Sequence, residues 1–371
     1  MRLFPLLKKE FLQFFRDRIL IFILIYAFTA VVYTGGRGIS LEVKRFPVII
    51  QDQSNNRASR EFIAKIRLPY FKILGFVNSD KELIEWLDRG KASMAIIIPP
   101  DFERKLKKGE AKIQVIIDGT MSMTSTMAIS YISDITYNYA LEILEYDVYK
   151  KKYPFPLVEE KLRILFNPNV LSTWFMSLLE LFNMITMTSL LITAAALIRE
   201  KEYGTIEQLL ITPVKSWEVF LAKIIPTVVV ISVLSFISLF VMVKGVFGVP
   251  IRGNVFLFFA VTCIYVFSIA SIGIAIATVV NNLSQAMMVI FAVLVPMLMI
   301  SGAWSPPETM HPVIKYISLL SPMRYFLDFG YGVLLKGNTL KYIWKDILGI
   351  ILIGIVLLIF SALRFRQSFA K

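Results

Sequence analysis

Apolar residues gather into long runs along this chain, separated by short charged or turn-forming stretches. Runs over 19–34, 173–198, 224–243, 255–280, 286–301 and 345–363 each read as a membrane-spanning helix. Roughly 20 apolar residues cross the hydrocarbon core, and a slightly shorter run serves with its flanks. Ahead of the first run, Phe4, Leu7, Phe11, Phe14 and Phe15 recur mostly at steps of three and four, with Lys9, Gln13, Arg16 and Asp17 mostly opposite. That pattern predicts a basic amphipathic helix over 1–18, lying flat in the membrane interface. A cleaved signal peptide with 19–33 as its apolar core is the alternative. Its basic lead would be too long, and no Ala-x-Ala follows.

The stretch 35–172 is different in kind, with charges of both signs every few residues. Phe46–Gln51, Ala92–Ile98 and Lys112–Asp118 read as strands, Arg57–Ile66 and Asp80–Arg89 as amphipathic helices, and Thr126–Tyr149 as a long helix. Strands alternating with helices predict a small α/β domain. Asp101 and Asp118 fit turn-forming roles better than a catalytic pair. At the other end, 302–337 mixes Trp304, Tyr316, Tyr325 and Tyr331 with Pro306, Pro307, Pro312 and Pro322. This reads as an interfacial or re-entrant segment, since Trp and Tyr favour the membrane boundary.

Composition narrows the class. Of 371 residues 56% are hydrophobic, and the mean hydropathy is +0.66. The net charge of +13 could suggest nucleic acid. The basic residues instead flank the apolar runs, which fits lipid headgroups and topology and predicts no nucleic-acid partner. With six spans, Arg2, Lys8, Lys9, Arg16, Arg18, Arg199, Lys201, Lys215, Lys223, Arg364, Arg366 and Lys371 fall on one side. The positive-inside rule makes that side the cytoplasm, with both termini there and 35–172 outside. The one Cys, Cys263, and the one His, His311, leave no Cys- or His-based metal site. No Gly-x-x-x-x-Gly-Lys-Ser/Thr occurs, so no P-loop binds ATP in this chain.

Two places carry candidate chemistry. Within the 173–198 run stand Glu180 and Asn183. A charge at mid-bilayer costs on the order of 3 kcal/mol, so it faces a partner or a wet cavity, or else lies near enough to the headgroups to stay hydrated. Glu180 and Asn183 are candidates for a transport pathway. The second place is the charged island 199–223. Gly204 permits a sharp turn, and Thr205 with Gln208 forms a capping box. Glu207 falls in a first helical turn, Pro213 stops that helix, and Ser216 with Glu218 opens a second. The island reads as a stiff elbow under the membrane with an apolar Leu209/Leu210 edge. An ordinary loop between two spans is the plain alternative.

Arg-Glu-x-x-x-Gly-Thr-x-Glu-x-Leu-Leu-x-Thr-Pro-Val over 199–214, with Glu218 and Lys223 beyond it, resembles the coupling segment of ABC-2 type transporter permeases. The resemblance extends over nearly the whole chain and includes the YhhJ-like inner-membrane transport permeases. Ile-Pro-Pro-Asp-Phe-Glu at 98–103 and Ile-Asp-Gly-Thr at 117–120 are similar to that family's large domain outside the membrane. The resemblance implies a polytopic α-helical membrane protein of six transmembrane helices, with an α/β extracytoplasmic domain between the first and second.

It further implies a permease subunit of an ATP-driven exporter in the inner membrane, without catalysis or cofactor of its own. ATP and Mg would be held by a separate ABC ATP-binding subunit. Glu200, Glu202, Gly204, Thr205, Glu207, Leu209, Leu210, Thr212 and Pro213 would carry the docking. A second permease protomer, identical or closely related, and a periplasmic adaptor are the other implied partners, and drug-like amphiphiles are among the cargoes relatives handle. Leu-Glu-Leu-Phe-Asn-x-Ile-Thr at 179–186 departs from the apolar or Pro-Gly sequence of many relatives, which weakens any transfer of substrate. An ion-coupled secondary transporter using Glu180 and a non-transporting membrane sensor or scaffold are the alternatives. A membrane enzyme would need clustered polar residues that one His and scattered carboxylates do not supply.

Overall fold

The structure is a computed structural model that describes residues 3–38, 45–118, 122–151, 166–167, 171–204, 216–304, 307 and 310–368. The chain divides into two compact units, Ser40–Arg163 and a helical unit made from Met1–Ile39 with Ile164–Lys371.

The smaller unit is a four-stranded sheet in the order β2-β1-β3-β4, built from β1 (Phe46–Asp52), β2 (Phe71–Phe76), β3 (Met94–Ile98) and β4 (Gln114–Ile117). β1 runs parallel to β2 and β3, and β4 is antiparallel to β3. Side chains alternate across a strand. Thus Val48, Ile50, Met94, Ile96 and Ile98 pack on one face with Phe62, Phe102, Ile132 and Tyr139, whereas Ile49 and Ala95 pack on the other with Val77, Leu83 and Ala92. Both faces are covered, as parallel strands require. Helices α4 (Arg57–Lys65), α6 (Phe102–Leu106) and α7 (Ser122–Lys151) supply the first layer, and α5 (Asp80–Asp88) the second. β2 is absent from the sequence reading. Its apolar/polar alternation fails at Leu74, the residue that the pairing with β1 skips between Val48↔Ile73 and Ile49↔Gly75.

In the helical unit, α1 (Leu3–Arg16) is followed by Asp17, whose carboxylate accepts from Leu20 N–H at 3.0 Å and caps α2 (Arg18–Tyr26). A π-helical turn at Ala27–Val31 carries α2 into α3 (Val32–Gly38), giving one apolar run of 21 residues. The sequence reading ends this span at residue 34, but the helix continues through Gly35 and Gly36. A Cβ at Gly36 would lie 2.5 Å from Phe247 Cζ, and one at Gly35 would lie 2.6 Å from Glu180 Cγ. These glycines allow close packing rather than breaking the helix.

Four further helices are long and apolar enough to cross a membrane: Ser172–Glu202, Trp217–Val246, Val255–Val279 and Leu340–Arg364. Leu283–Met299 is a shorter apolar helix. We number α8 (Ser172–Glu202), α9 (Ser216–Ser238, continued by a π-helical stretch Leu239–Val246), α10 (Val255–Val279), α11 (Leu283–Met299), α12 (Pro312–Ser318), α13 (Pro322–Tyr331) and α14 (Leu340–Ser368). The second short helix expected at 216–223 is therefore the first two turns of α9, because nothing between Ser216 and Pro226 interrupts it.

Buried hydroxyls in α8 return to their own backbone: Thr186 donates to Phe182 O at 2.7 Å and Ser189 to Ile185 O. In an apolar surround a polar group needs such a partner. The core is aromatic. Tyr265 of α10 stacks on Phe326 of α13 with centroids 3.9 Å apart, and its hydroxyl lies 2.6 Å from Thr186 Oγ1. Phe182 packs against Phe258, Phe326 and Tyr331. Small residues bring helices close: a Cβ at Gly273 would meet Leu190 O at 2.8 Å, and one at Gly354 would meet Ser268 Cα at 3.0 Å. Within 302–337 the sequence reading covers two different helices. α13 is buried through Met323, Phe326 and Phe329, whereas α12 leaves Val313, Tyr316 and Ile317 exposed.

Candidate functional site

Lys223 sits two turns into α9, and its side chain is only 2% exposed. An isolated ammonium buried this deeply costs several kcal/mol. Two carboxylates offset that cost: Nζ lies 3.0 Å from Glu10 Oε1 of α1 and 3.0 Å from Glu200 Oε1 of α8. Those acids are 12% and 11% exposed. Lys9 Nζ lies 3.0 Å from the same Glu200 oxygen, so two cations face two anions.

The neighbours of Glu200 extend this fastening. Arg199 approaches Asp17, the cap of α2, at 3.8 Å. Lys201 Nζ donates to Val280 O at 3.0 Å, at the end of α10. Glu202 accepts the N–H of Leu283 at 2.8 Å, satisfying one of the unpaired donors that open α11. Four consecutive side chains at the end of α8 thus touch α1, the α1–α2 junction, α9, the end of α10 and the start of α11. Gly204 then turns the chain at φ +67, in open space.

The sequence-based candidates divide accordingly. Glu200 lies in the buried hub and Glu202 against the start of α11, so both carboxylates are engaged within the chain. Gly204 holds the left-handed turn expected of it. Thr205, Glu207, Leu209, Leu210, Thr212 and Pro213 lie outside the described residues. Both ends of that segment, Glu200 and Lys223, meet in one ion pair. The sequence reading missed Glu10. Its signal was a carboxylate one turn from Leu6 and from Phe14, on the face of α1 that turns inward.

Glu180 and Asn183 come together elsewhere. Asn183 Nδ2 donates to Glu180 Oε2 at 3.2 Å, and Gly35 of α3 packs against the Glu180 side chain. Glu180, Asn183, Met187 and Leu191 are partly exposed, at steps of three, four and four along a helix otherwise mostly buried. They form its one open stripe between Met176 and Leu191. Among the described residues no cation forms an ion pair with Glu180.

Comparison with known proteins fits this architecture. The family profile described as "ABC-2 family transporter protein" matches residues 19–363. The chain is 31% identical over 361 residues to the inner membrane transport permease YhhJ of Escherichia coli (strain K12), covering 97% of this chain and 96% of that protein. It is 28% identical over 360 residues to the probable multidrug ABC transporter permease YbhR of the same organism, covering 93% of each. ABC transporter G family member 20 of Dictyostelium discoideum is 25% identical over 173 residues, 46% of this chain and 23% of that protein. The long apolar helices and a profile match running from the first span to the last agree: this chain belongs to the ABC-2 family of transporter proteins, as a membrane transport subunit.

Proposed function

We propose that this chain is the permease half of an ATP-driven exporter, and that 199–223 is where a separate ABC ATP-binding subunit docks. In this reading α11 is a sixth span and two protomers enclose the pathway. Both termini are cytoplasmic, and the long segment between the first two spans is extracytoplasmic, where it can receive an adaptor. Mg-ATP is bound and hydrolysed on the partner. Glu207, Leu209 and Leu210 present the docking edge. Gly204, Thr205, Thr212 and Pro213 shape it, and Glu200 and Glu202 anchor its base.

The observation that carries the reading is the Glu10–Lys223–Glu200 hub. A push on a loose loop would be absorbed by the loop. A push on a segment whose two ends share a buried ion pair is delivered to α1, α8 and α9 together. The bistable element is then the helical unit, biased from one end by the nucleotide state of the partner.

The test is co-purification in detergent of the ATP-binding subunit with wild-type permease and with Glu207→Lys and Gly204→Pro variants. Retention by the wild type and loss by both variants, with folding intact, supports the docking assignment. Equal retention overturns it. The ion-coupled alternative rests on Glu180 and predicts transport in vesicles driven by an ion gradient without ATP.

A further inference from the structure

We infer that Glu180 and Asn183 form the recognition site for a protonated amine on an apolar body, so that the cargo class is the cationic amphiphile. The inference rests on the permease reading above and adds the charge of the substrate to it.

Glu180 accepts one hydrogen bond, from Asn183 Nδ2, and among the described residues has no cation partner. The amide oxygen of the same Asn183 is buried and has no hydrogen-bond donor. An unpaired buried acceptor costs about 1–3 kcal/mol. Glu180 and Asn183 lie one helical turn apart on the open stripe of α8, and the Asn183 amide N–H holds the carboxylate in place there. An ammonium has three donors and no acceptor, which matches a carboxylate with no cation partner among the described residues.

The rest of the stripe suits an apolar body. Met187 and Leu191 continue it away from the carboxylate, and Met adapts to varied shapes. Gly35 keeps the opposite wall at backbone distance from Glu180, and any side chain there would displace the carboxylate. Along α8, Glu180 stands 19 residues before Arg199. That is about 28 Å at 1.5 Å per residue, close to the full hydrocarbon thickness of about 30 Å. The acceptor pair thus sits at the end of the span opposite the ion-pair hub. A cation drawn along the stripe from the hub end would meet its counter-charge there.

The experiment uses full-length permease in lipid nanodiscs and two fluorescent probes, dansylcadaverine, which carries a primary ammonium, and its neutral N-acetyl derivative. Wild type is expected to bind the ammonium at least tenfold more tightly, the lower end for a charge-assisted hydrogen bond. Glu180→Gln, nearly isosteric, is expected to keep the neutral probe's affinity and abolish the preference. Asn183→Ala is expected to reduce the preference several-fold. Equal binding of the two probes by wild type, binding of neither, or an undiminished preference in Glu180→Gln overturns the inference. Co-purification of the ATP-binding subunit, measured on the same preparations, separates the two claims. A retained ATPase with no preference removes the cation site and leaves the permease reading standing.

Discussion

Lys223 and Glu200 stand on opposite sides of the 205–215 segment in sequence, yet their charged atoms lie 3.0 Å apart in a site that excludes solvent. Glu10 completes the pair from α1, again at 3.0 Å. Removing one partner of a buried ion pair leaves an uncompensated charge and costs about 3–5 kcal/mol. Lys223→Met is therefore expected to lower the melting temperature of the purified permease by many degrees. Glu200 keeps Lys9 as a partner and, among the described residues, Glu10 is left stranded; adding Glu10→Gln and Glu200→Gln removes the excess negative charge, and the triple variant is expected to recover most of that loss. A triple variant no more stable than Lys223→Met would show that the contacts carry no mutual energy.

Gly36 meets the ring of Phe247, with 2.5 Å between a would-be Cβ and Cζ. Gly36→Ala is expected to destabilise by about 1–3 kcal/mol through overpacking. Phe247→Leu, which shortens the obstructing side chain, is expected to relieve most of it in the double variant. Thermal unfolding of the two single variants and the double checks this. Additive losses would contradict the contact.

Glu202 satisfies the first N–H of α11 from outside that helix. Glu202→Ala is expected to cost about 1 kcal/mol locally, as loss of an N-terminal cap does. Hydrogen exchange of the amides around Leu283 should quicken by about fivefold, and Glu202→Gln, which keeps an acceptor, should do less. Unchanged exchange in the alanine variant would argue against the cap.

In the α/β unit, Tyr139 donates to Ala58 O at 3.0 Å and is packed against Phe62. Burial, with Glu61 and Glu142 nearby, raises its phenol above the usual value of 10.0. The folded state thus holds the proton more tightly than the unfolded chain does. Its contribution is fully present below pH 10 and fades as pH rises through the folded value. Tyr139→Phe is expected to lose about 1 kcal/mol at neutral pH for the missing hydrogen bond and to show a shallower decline above pH 10. Denaturant unfolding at several alkaline pH values measures both.

The long helices and three of the four strands were legible because a continuous apolar run is a local signal, as in Phe46–Asp52 and Val255–Val279. What was hidden depends on partners distant in sequence. Gly35 and Gly36 look like a break until Glu180 and Phe247 are seen against them. β2 carries an apolar Leu74 where a polar residue would continue the alternation, and only the pairing with β1 shows that Leu74 is the bulged residue. Lys223 was visible as part of a motif, but only the fold supplies Glu10 and makes it a hub. Glu200 and Glu202 were expected to face a partner, and both turn out to bind this chain's own helices. The stripe from Glu180 to Leu191 required knowing which side of α8 the other helices cover.

Site-directed crosslinking in native membranes shows whether the segment tethered by Lys223 and Glu200 meets an ATP-binding subunit. Cys263 is the one cysteine in the sequence, so a Cys263→Ser background accepts single probes at Glu207 and at Asn338. A crosslink to the ATP-binding subunit is expected from position 207, none from 338, and loss of the former when Lys223→Met is added. Crosslinking from 338 but not from 207, or from neither, would contradict the docking assignment.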